Sequence, residues 1–249
     1  MYINGEWIKN GTTFLVYNPA NGEKLGEVID GTADHANDAI DAANDAFPAW
    51  SNQSNYARSS LLYRAHNLML ERQTHLAELM TREQGKPLKA SMNEVKYAAD
   101  FFLWFAEEAK RIYGATIPSA RQDQRFLVHK QPIGVVAAIT PWNYPISMLT
   151  RKIAPALAAG CTIVLKPAES TPLCAIAVFQ ILDEVGFPSG VANLITAMDP
   201  KPIGRIFCSH PMVRKLTFTG STMVGKYLAQ AAAPQLKRVS MELGGHAPF

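Results

Sequence analysis

Hydrophobic and polar positions change their rhythm twice along this chain. Up to Thr32, short strand-like runs are broken by Asn10-Gly11, Asn18-Pro19 and Asn21-Gly22, the punctuation of hairpins lying on a larger body. Thr32 then reads as an N-cap, and the alanine-rich stretch Ala33–Ala46 as a helix that breaks at Pro48. A longer helix is predicted from about Ser54 to Gln84. Leu61, Leu62, Ala65, Leu68, Met69, Leu76, Leu79 and Met80 share its apolar face, and Gly85-Lys86-Pro87 stops it. The cleanest period follows: Val95, Ala98, Phe102, Phe105, Ala109 and Ile112 recur at intervals of 3 or 4, and Gly114 closes the helix. That stripe reads as core packing, with a cofactor-lining role for its aromatics as the alternative.

From about Arg121 the period shifts. Arg125–Lys130 alternates like a half-exposed strand. Beyond Pro132, short apolar runs alternate with helical segments, and strands are predicted at Gly134–Thr140, Cys161–Lys166, Val191–Thr196, Lys215–Thr219 and Arg238–Leu243. This is the pattern of an α/β protein with a doubly wound parallel sheet covered on both faces. Such sheets bind ligands beyond the carboxyl ends of their strands.

Composition narrows the class. The 249 residues are 48% hydrophobic and 18% charged with 16 Gly and 16 Pro, which excludes a disordered chain, a collagen-like fibre and a disulfide mini-scaffold. Lys and Arg number 24 against 21 Asp and Glu, so nucleic acid and anionic membranes are not expected partners. Cys161, Cys174 and Cys208 show no metal-ligand spacing and no disulfide framework, and no metal is expected. All three read as structural: Cys161 opens a buried strand, and Cys174 and Cys208 lie on helical segments without an adjacent base. The opening Met1-Tyr2-Ile3-Asn4-Gly5-Glu6-Trp7 has no signal-peptide pattern, and no apolar run approaches the roughly 18 residues of a membrane span. The expectation is a cytoplasmic, soluble protein.

Candidate chemistry lies just after the strands. Pro141-Trp142-Asn143-Tyr144-Pro145 is a stiff turn with an amide at its tip, which either donates to a developing oxyanion or only holds the turn. Lys166-Pro167-Ala168-Glu169 sets a cation and a carboxylate three residues apart past a strand, suited to a nucleotide ribose and phosphates or simply a solvated pair. Gly220-Ser221-Thr222-Met223-Val224-Gly225 is a small-residue turn opening a helix, placed either to present N–H groups to a pyrophosphate or as a generic glycine turn. Glu242, before Gly244-Gly245, is either a general base with flexible neighbours or a satisfied strand-end residue. His246 earns no role.

Together these stretches resemble the NAD(P)-dependent aldehyde dehydrogenases. Pro141-Trp142-Asn143-Tyr144-Pro145, Lys166-Pro167-Ala168-Glu169, Phe218-Thr219-Gly220-Ser221-Thr222 with Gly225, and Glu242-Leu243-Gly244-Gly245 match in order and spacing. The resemblance implies that Asn143 stabilises the oxyanion of a thiohemiacetal and that Glu242 is the general base. It further implies that Lys166 and Glu169 hold the adenosine ribose, that Gly220 and Ser221 support the pyrophosphate, and that Trp142 lines the cleft. Ile139, Gly204, Phe218, Val224, Gly225 and Leu243 complete the implied cofactor site. Ala197-Met198-Asp199-Pro200 departs from the family, where a glycine is common after this strand.

The family's nucleophilic cysteine lies beyond the Glu-Leu-Gly-Gly motif, so Phe249 falls short of it. The resemblance therefore implies the cofactor-binding half of an enzyme. Residues 1–114 form the helical N-terminal part of that domain, 115–132 the β-strands of an oligomerisation arm, and 133–249 the Rossmann-like part. The chain alone is expected to be inactive, and the complete enzyme a homo-oligomer acting on a small aldehyde. The surroundings of Arg151 look most like succinate-semialdehyde dehydrogenases, which implies that Arg151 binds a substrate carboxylate; a structural Arg151 is the alternative. Glu169 leans the cofactor toward NAD, with NADP possible. The break within Gly244–Phe249 fits truncation, against a natural NAD(P)-binding module without catalysis or a non-functional remnant.

Overall fold

The computed structural model describes residues 1–245; His246 and the break at Phe249 lie outside the described residues. Five strands, β7 (Val135–Ile139), β8 (Thr162–Lys166), β9 (Ala192–Leu194), β10 (Val213–Gly220) and β11 (Arg238–Leu243), pair in parallel. Their order across the sheet is β11-β10-β7-β8-β9. The hairpin of β1 (Tyr2–Ile3) and β2 (Glu6–Trp7) extends the sheet beyond β9, with Tyr2 antiparallel to Leu194. The first hairpin is thus part of the main sheet rather than laid on it. It is pinned there because Tyr2 Oη and Trp7 Nε1 both donate to the Asp183 carboxylate, at 3.1 and 2.9 Å. A second hairpin, β3 (Thr13–Tyr17) with β4 (Lys24–Ile29), stands apart as its own two-stranded sheet.

Strand alternation divides the core in two. Val136, Ala138, Ile163 and Leu165 face one way, onto α2 (Asn55–Glu71), α4 (Leu88–Ala109), α5 (Ser147–Ala158) and α6 (Pro172–Val185). Val135, Ala137 and Val164 face the other way, onto α1 (Ala33–Ser51), α7 (Pro200–Ser209) and α8 (Thr222–Ala232). A sheet covered on both faces explains the continuous apolar runs in β7 and β8.

Three helix boundaries differ from the sequence reading. α1 does not break at Pro48 but runs on to Ser51. Pro48 removes one backbone hydrogen bond, and burying Trp50 against Phe187, ring centroids 5.9 Å apart, holds the last turn in place. The helix expected from Ser54 to Gln84 is two helices, α2 and α3 (Gln73–Gln84), meeting at Arg72 with φ −98° and ψ 14°. No glycine or proline marks that joint. α4 stops at Ala109, before Ile112 and Gly114, and Phe105 is only half-buried.

The hairpin of β5 (Ala115–Pro118) and β6 (Arg125–Val128) forms a separate two-stranded sheet, exposed along both strands. Ile117, Phe126 and Leu127 are among its exposed apolar side chains.

Candidate functional site

Sheet register sets the motif residues abreast. Lys166 pairs with Ile139, Ile139 with Phe218, and Phe218 with Met241, so one row crosses β8, β7, β10 and β11. Successive crossovers run from β7 to β8 and β9 on one side, whereas β10 and β11 lie on the other. The loops after β7 and β10 therefore part at a topological switch point, where open α/β sheets form their binding crevice. Asn143 follows β7 there and Ser221 follows β10.

The start of α8 is built closely. Ser221 is its N-cap, with Oγ accepting from the Val224 N–H at 3.3 Å. A Cβ on Gly225 would lie 2.4 Å from Leu243 Cδ2, so the helix reaches the end of β11 only because position 225 carries no side chain. A largely apolar cavity of about 490 Å³ opens between α7 and α8. Ile139, Gly204 and Val224 line it, with Pro200, Lys201, Arg205 and Tyr227 alongside. The departing loop Ala197–Pro200 feeds this slot: Ala197 is buried, Met198 N–H donates to Asp30 at 2.8 Å, and Asp199 caps α7 by accepting from the Lys201 N–H at 3.0 Å.

Lys166 is buried and its Nζ lies 2.9 Å from the more exposed Glu169 carboxylate. Burial pulls the Lys166 ammonium below its ordinary value, against the attraction of Glu169 and Asp199. Burial alone would raise Glu169, but the adjacent ammonium outweighs it and holds the carboxyl low.

Two buried glutamates that the sequence reading passed over brace the loops after β7 and β8. Glu94 on α4 accepts from the N–H groups of Ile146 and Ser147 at 3.0 and 3.1 Å, where α5 begins. It also pairs with Lys86, whose Nζ donates to the Asn143 carbonyl at 2.9 Å and lies 3.8 Å from the centroid of the Tyr144 ring. Glu83 on α3 accepts from the N–H groups of Leu173 and Cys174 at 2.6 and 2.9 Å, at the start of α6. The Gly85-Lys86-Pro87 stop gave a boundary but no hint of these partners.

Cys174 therefore does have an acidic neighbour, contrary to the sequence expectation. Burial and the Glu83 carboxylate push its thiol well up. Burial raises the Cys161 and Cys208 thiols too, so none of the three is an activated nucleophile.

Asn143 and Trp142 are exposed on the loop after β7, and Glu242 is exposed on β11, paired in register with Thr219. Lys152, also missed, is buried on α5 with its Nζ donating to Thr217 Oγ1 at 3.0 Å. Burial brings it down to about 8, while the field of Glu242 acts in the opposite direction. Arg151 is half-buried with its guanidinium 5.5 Å from the centroid of the Phe101 ring on α4. Phe218, Gly220 and Leu243 pack the strand ends: a Cβ on Gly220 would meet the Phe218 ring at 2.5 Å.

Among the described residues, no group of three or more His, Cys, Asp or Glu is placed to hold a metal ion. Nor is any helix among them long and apolar enough to cross a membrane.

Residues 7–249 match the model of the aldehyde dehydrogenase family. The chain is 54% identical over 249 residues to the NADP(+)-type succinate-semialdehyde dehydrogenase GabD of Escherichia coli (strain K12), covering 99% of this chain and 52% of that protein. It is 53% identical to a glutarate-semialdehyde dehydrogenase of Pseudomonas putida, covering 100% of this chain and 52% of that one. A crystal structure of Staphylococcus aureus betaine aldehyde dehydrogenase in complex with NAD+ superposes with a TM-score of 0.95 at 38% identity, covering 98% of this chain and 50% of the other. The chain spans about half the length of the curated relatives it matches.

Proposed function

The chain belongs to the aldehyde dehydrogenase family, and from that premise we propose that it is the cofactor-binding half of an enzyme oxidising a small aldehyde to its carboxylate with NAD(P)+. The observation that carries this reading is the slot between α7 and α8 opening beside the row Lys166–Ile139–Phe218. A mainly apolar slot suits an adenine ring, and the Lys166–Glu169 pair beside it suits the adenosine ribose. Gly220 and Ser221, at the N-terminal end of α8, suit the pyrophosphate. Ile139, Trp142, Gly204, Val224, Gly225 and Leu243 complete the proposed walls.

Catalysis divides between two halves. None of the three cysteines here suits nucleophilic attack, so the thiolate comes from the part of the relatives' length that this chain does not span. When that thiolate adds to the aldehyde, the Asn143 amide donates to the oxyanion. The bound nicotinamide supplies hydride-accepting chemistry. Glu242 then takes a proton from the water that cleaves the thioester, releasing the acid. Arg151 on α5 receives the distal carboxylate of a semialdehyde such as succinate semialdehyde, consistent with the semialdehyde-named relatives. Glu169 favours NAD, while Lys201 and Arg205 beside the slot keep NADP within reach. Residues 1–114 and 133–249 together form the cofactor domain. The exposed hairpin within 115–132 is the arm through which the complete enzyme assembles as a homo-oligomer.

Titrating NAD+ into the 249-residue chain tests the reading. Saturable quenching of tryptophan fluorescence, absent in Gly225→Leu, with no aldehyde-dependent NADH formation is expected. No saturable binding sinks the cofactor assignment, and NADH formation by the chain alone sinks the division of the site.

A further inference from the structure

The α3–α4 junction reaches across to the loop that carries Asn143. Lys86 meets this loop twice, through the Asn143 carbonyl at 2.9 Å and the Tyr144 ring at 3.8 Å. Glu94, at its back, holds the Lys86 ammonium and at the same time accepts from the backbone N–H groups of Ile146 and Ser147. One ion pair, of the buried Glu94 with the partly buried Lys86, thus contacts both ends of the segment 143–147. Pro145, Ile146 and Ser147 are buried and the Tyr144 carbonyl accepts from Met148 N–H at 3.1 Å, whereas Asn143 and Tyr144 are exposed, so Lys86 meets the open end of the segment.

We propose that Lys86 and Glu94 are positioning residues which set the direction of the Asn143 side-chain amide. The inference rests on the oxyanion role proposed above, because that role gives the direction its value. An oxyanion donor works by being aimed before charge develops, and a misplacement of about 1 Å costs rate steeply. The bond from the partly buried Lys86 ammonium to the Asn143 carbonyl restrains the peptide plane next to the Asn143 Cα, and with it the direction in which the side chain leaves the backbone. The Glu94 carboxylate has its oxygens divided between the ammonium and the two N–H groups, which makes the grip on the loop and the start of α5 a single unit. Burial makes this costly to break, since removing one partner leaves an uncompensated charge.

The test reads the amide itself in the 249-residue chain, with asparagine labelled by ¹⁵N. Lys86→Met is expected to shift and broaden the Asn143 side-chain signals, while signals from Asn193, at β9, stay in place. Lys86→Arg is expected to restore them. Glu94→Gln, which keeps an acceptor for Ile146 and Ser147 but loses the charge, should reproduce the Lys86→Met spectrum. Asn143 signals in Lys86→Met that superimpose on the wild type overturn the proposal, as does failure of Lys86→Arg to restore them. A second readout uses a chimera whose remaining half comes from the Escherichia coli relative. There Lys86→Met should lower kcat on the order of tenfold or more with the aldehyde KM nearly unchanged. A KM effect alone overturns the proposal. If Asn143→Ala leaves kcat intact, the oxyanion reading itself fails, whereas the spectra still decide whether Lys86 and Glu94 aim the amide.

Discussion

Lys152 Nζ donates to Thr217 Oγ1 across 3.0 Å, tying α5 to the middle of β10 inside the core. Burial lowers this amine from 10.5 to about 8, so the folded state disfavours its charged form. The resulting cost is present below about 8 and is relieved as pH rises toward 10.5. Lys152→Met, of similar length and uncharged, is therefore expected to raise unfolding free energy at pH 7 by about 1–3 kcal/mol. It should also abolish the gain that the wild type shows between about pH 8 and 10.5. Urea unfolding across that range checks both.

Glu83 behaves with the opposite sign. Burial raises its carboxyl from 4.5 to about 7, against the Cys174 and Leu173 contacts that favour the ionised form. Its contribution to stability is full below pH 4.5 and is lost as pH rises through about 7. Glu83→Gln should flatten this fall, so the stability difference between wild type and variant shrinks or reverses by a few kcal/mol between those pH values. Parallel curves for the two proteins in chemical denaturation would show that Glu83 titrates elsewhere.

Glu169 decides the ribose end of the proposed cofactor site. Its carboxylate is held ionised by Lys166, 2.9 Å away, and would repel a 2′-phosphate. Glu169→Gln is expected to tighten NADP+ binding about tenfold relative to NAD+, measured by calorimetric titration of each dinucleotide. An unchanged ratio of the two dissociation constants would place the 2′ position away from this side chain.

Gly225 and Leu243 occupy space that cannot be shared. A Cβ at 225 would fall 2.4 Å from Leu243 Cδ2, so Gly225→Ala should destabilise by about 1–3 kcal/mol despite the better helix propensity of alanine. Leu243→Ala should recover much of that loss in the double variant, as a thermodynamic cycle on thermal unfolding would show. Additive losses would mean that the strand end moves aside freely.

The alternation of apolar strands and helices after Pro132 was readable from the chain because each strand is buried on both faces and each helix carries its own stripe. The loops with Asn143, Lys166, Glu169 and Ser221 could be placed at strand ends for the same reason. Local boundaries were less legible where packing overrode local signals. Pro48 stays helical because Trp50 is buried beyond it, and Arg72 divides two helices with no breaker residue.

What periodicity cannot carry is pairing between residues far apart in the chain. Glu94 looks like one more polar position on α4 until the fold brings it against Ile146, Ser147 and Lys86. Lys152 looks like a surface lysine until β10 passes beside it. Local composition sets the type of each element and the chemistry available at its ends. Burial and long-range neighbours set which charges are lowered, raised or held in place, because desolvation and hydrogen bonding depend on what surrounds a group in space.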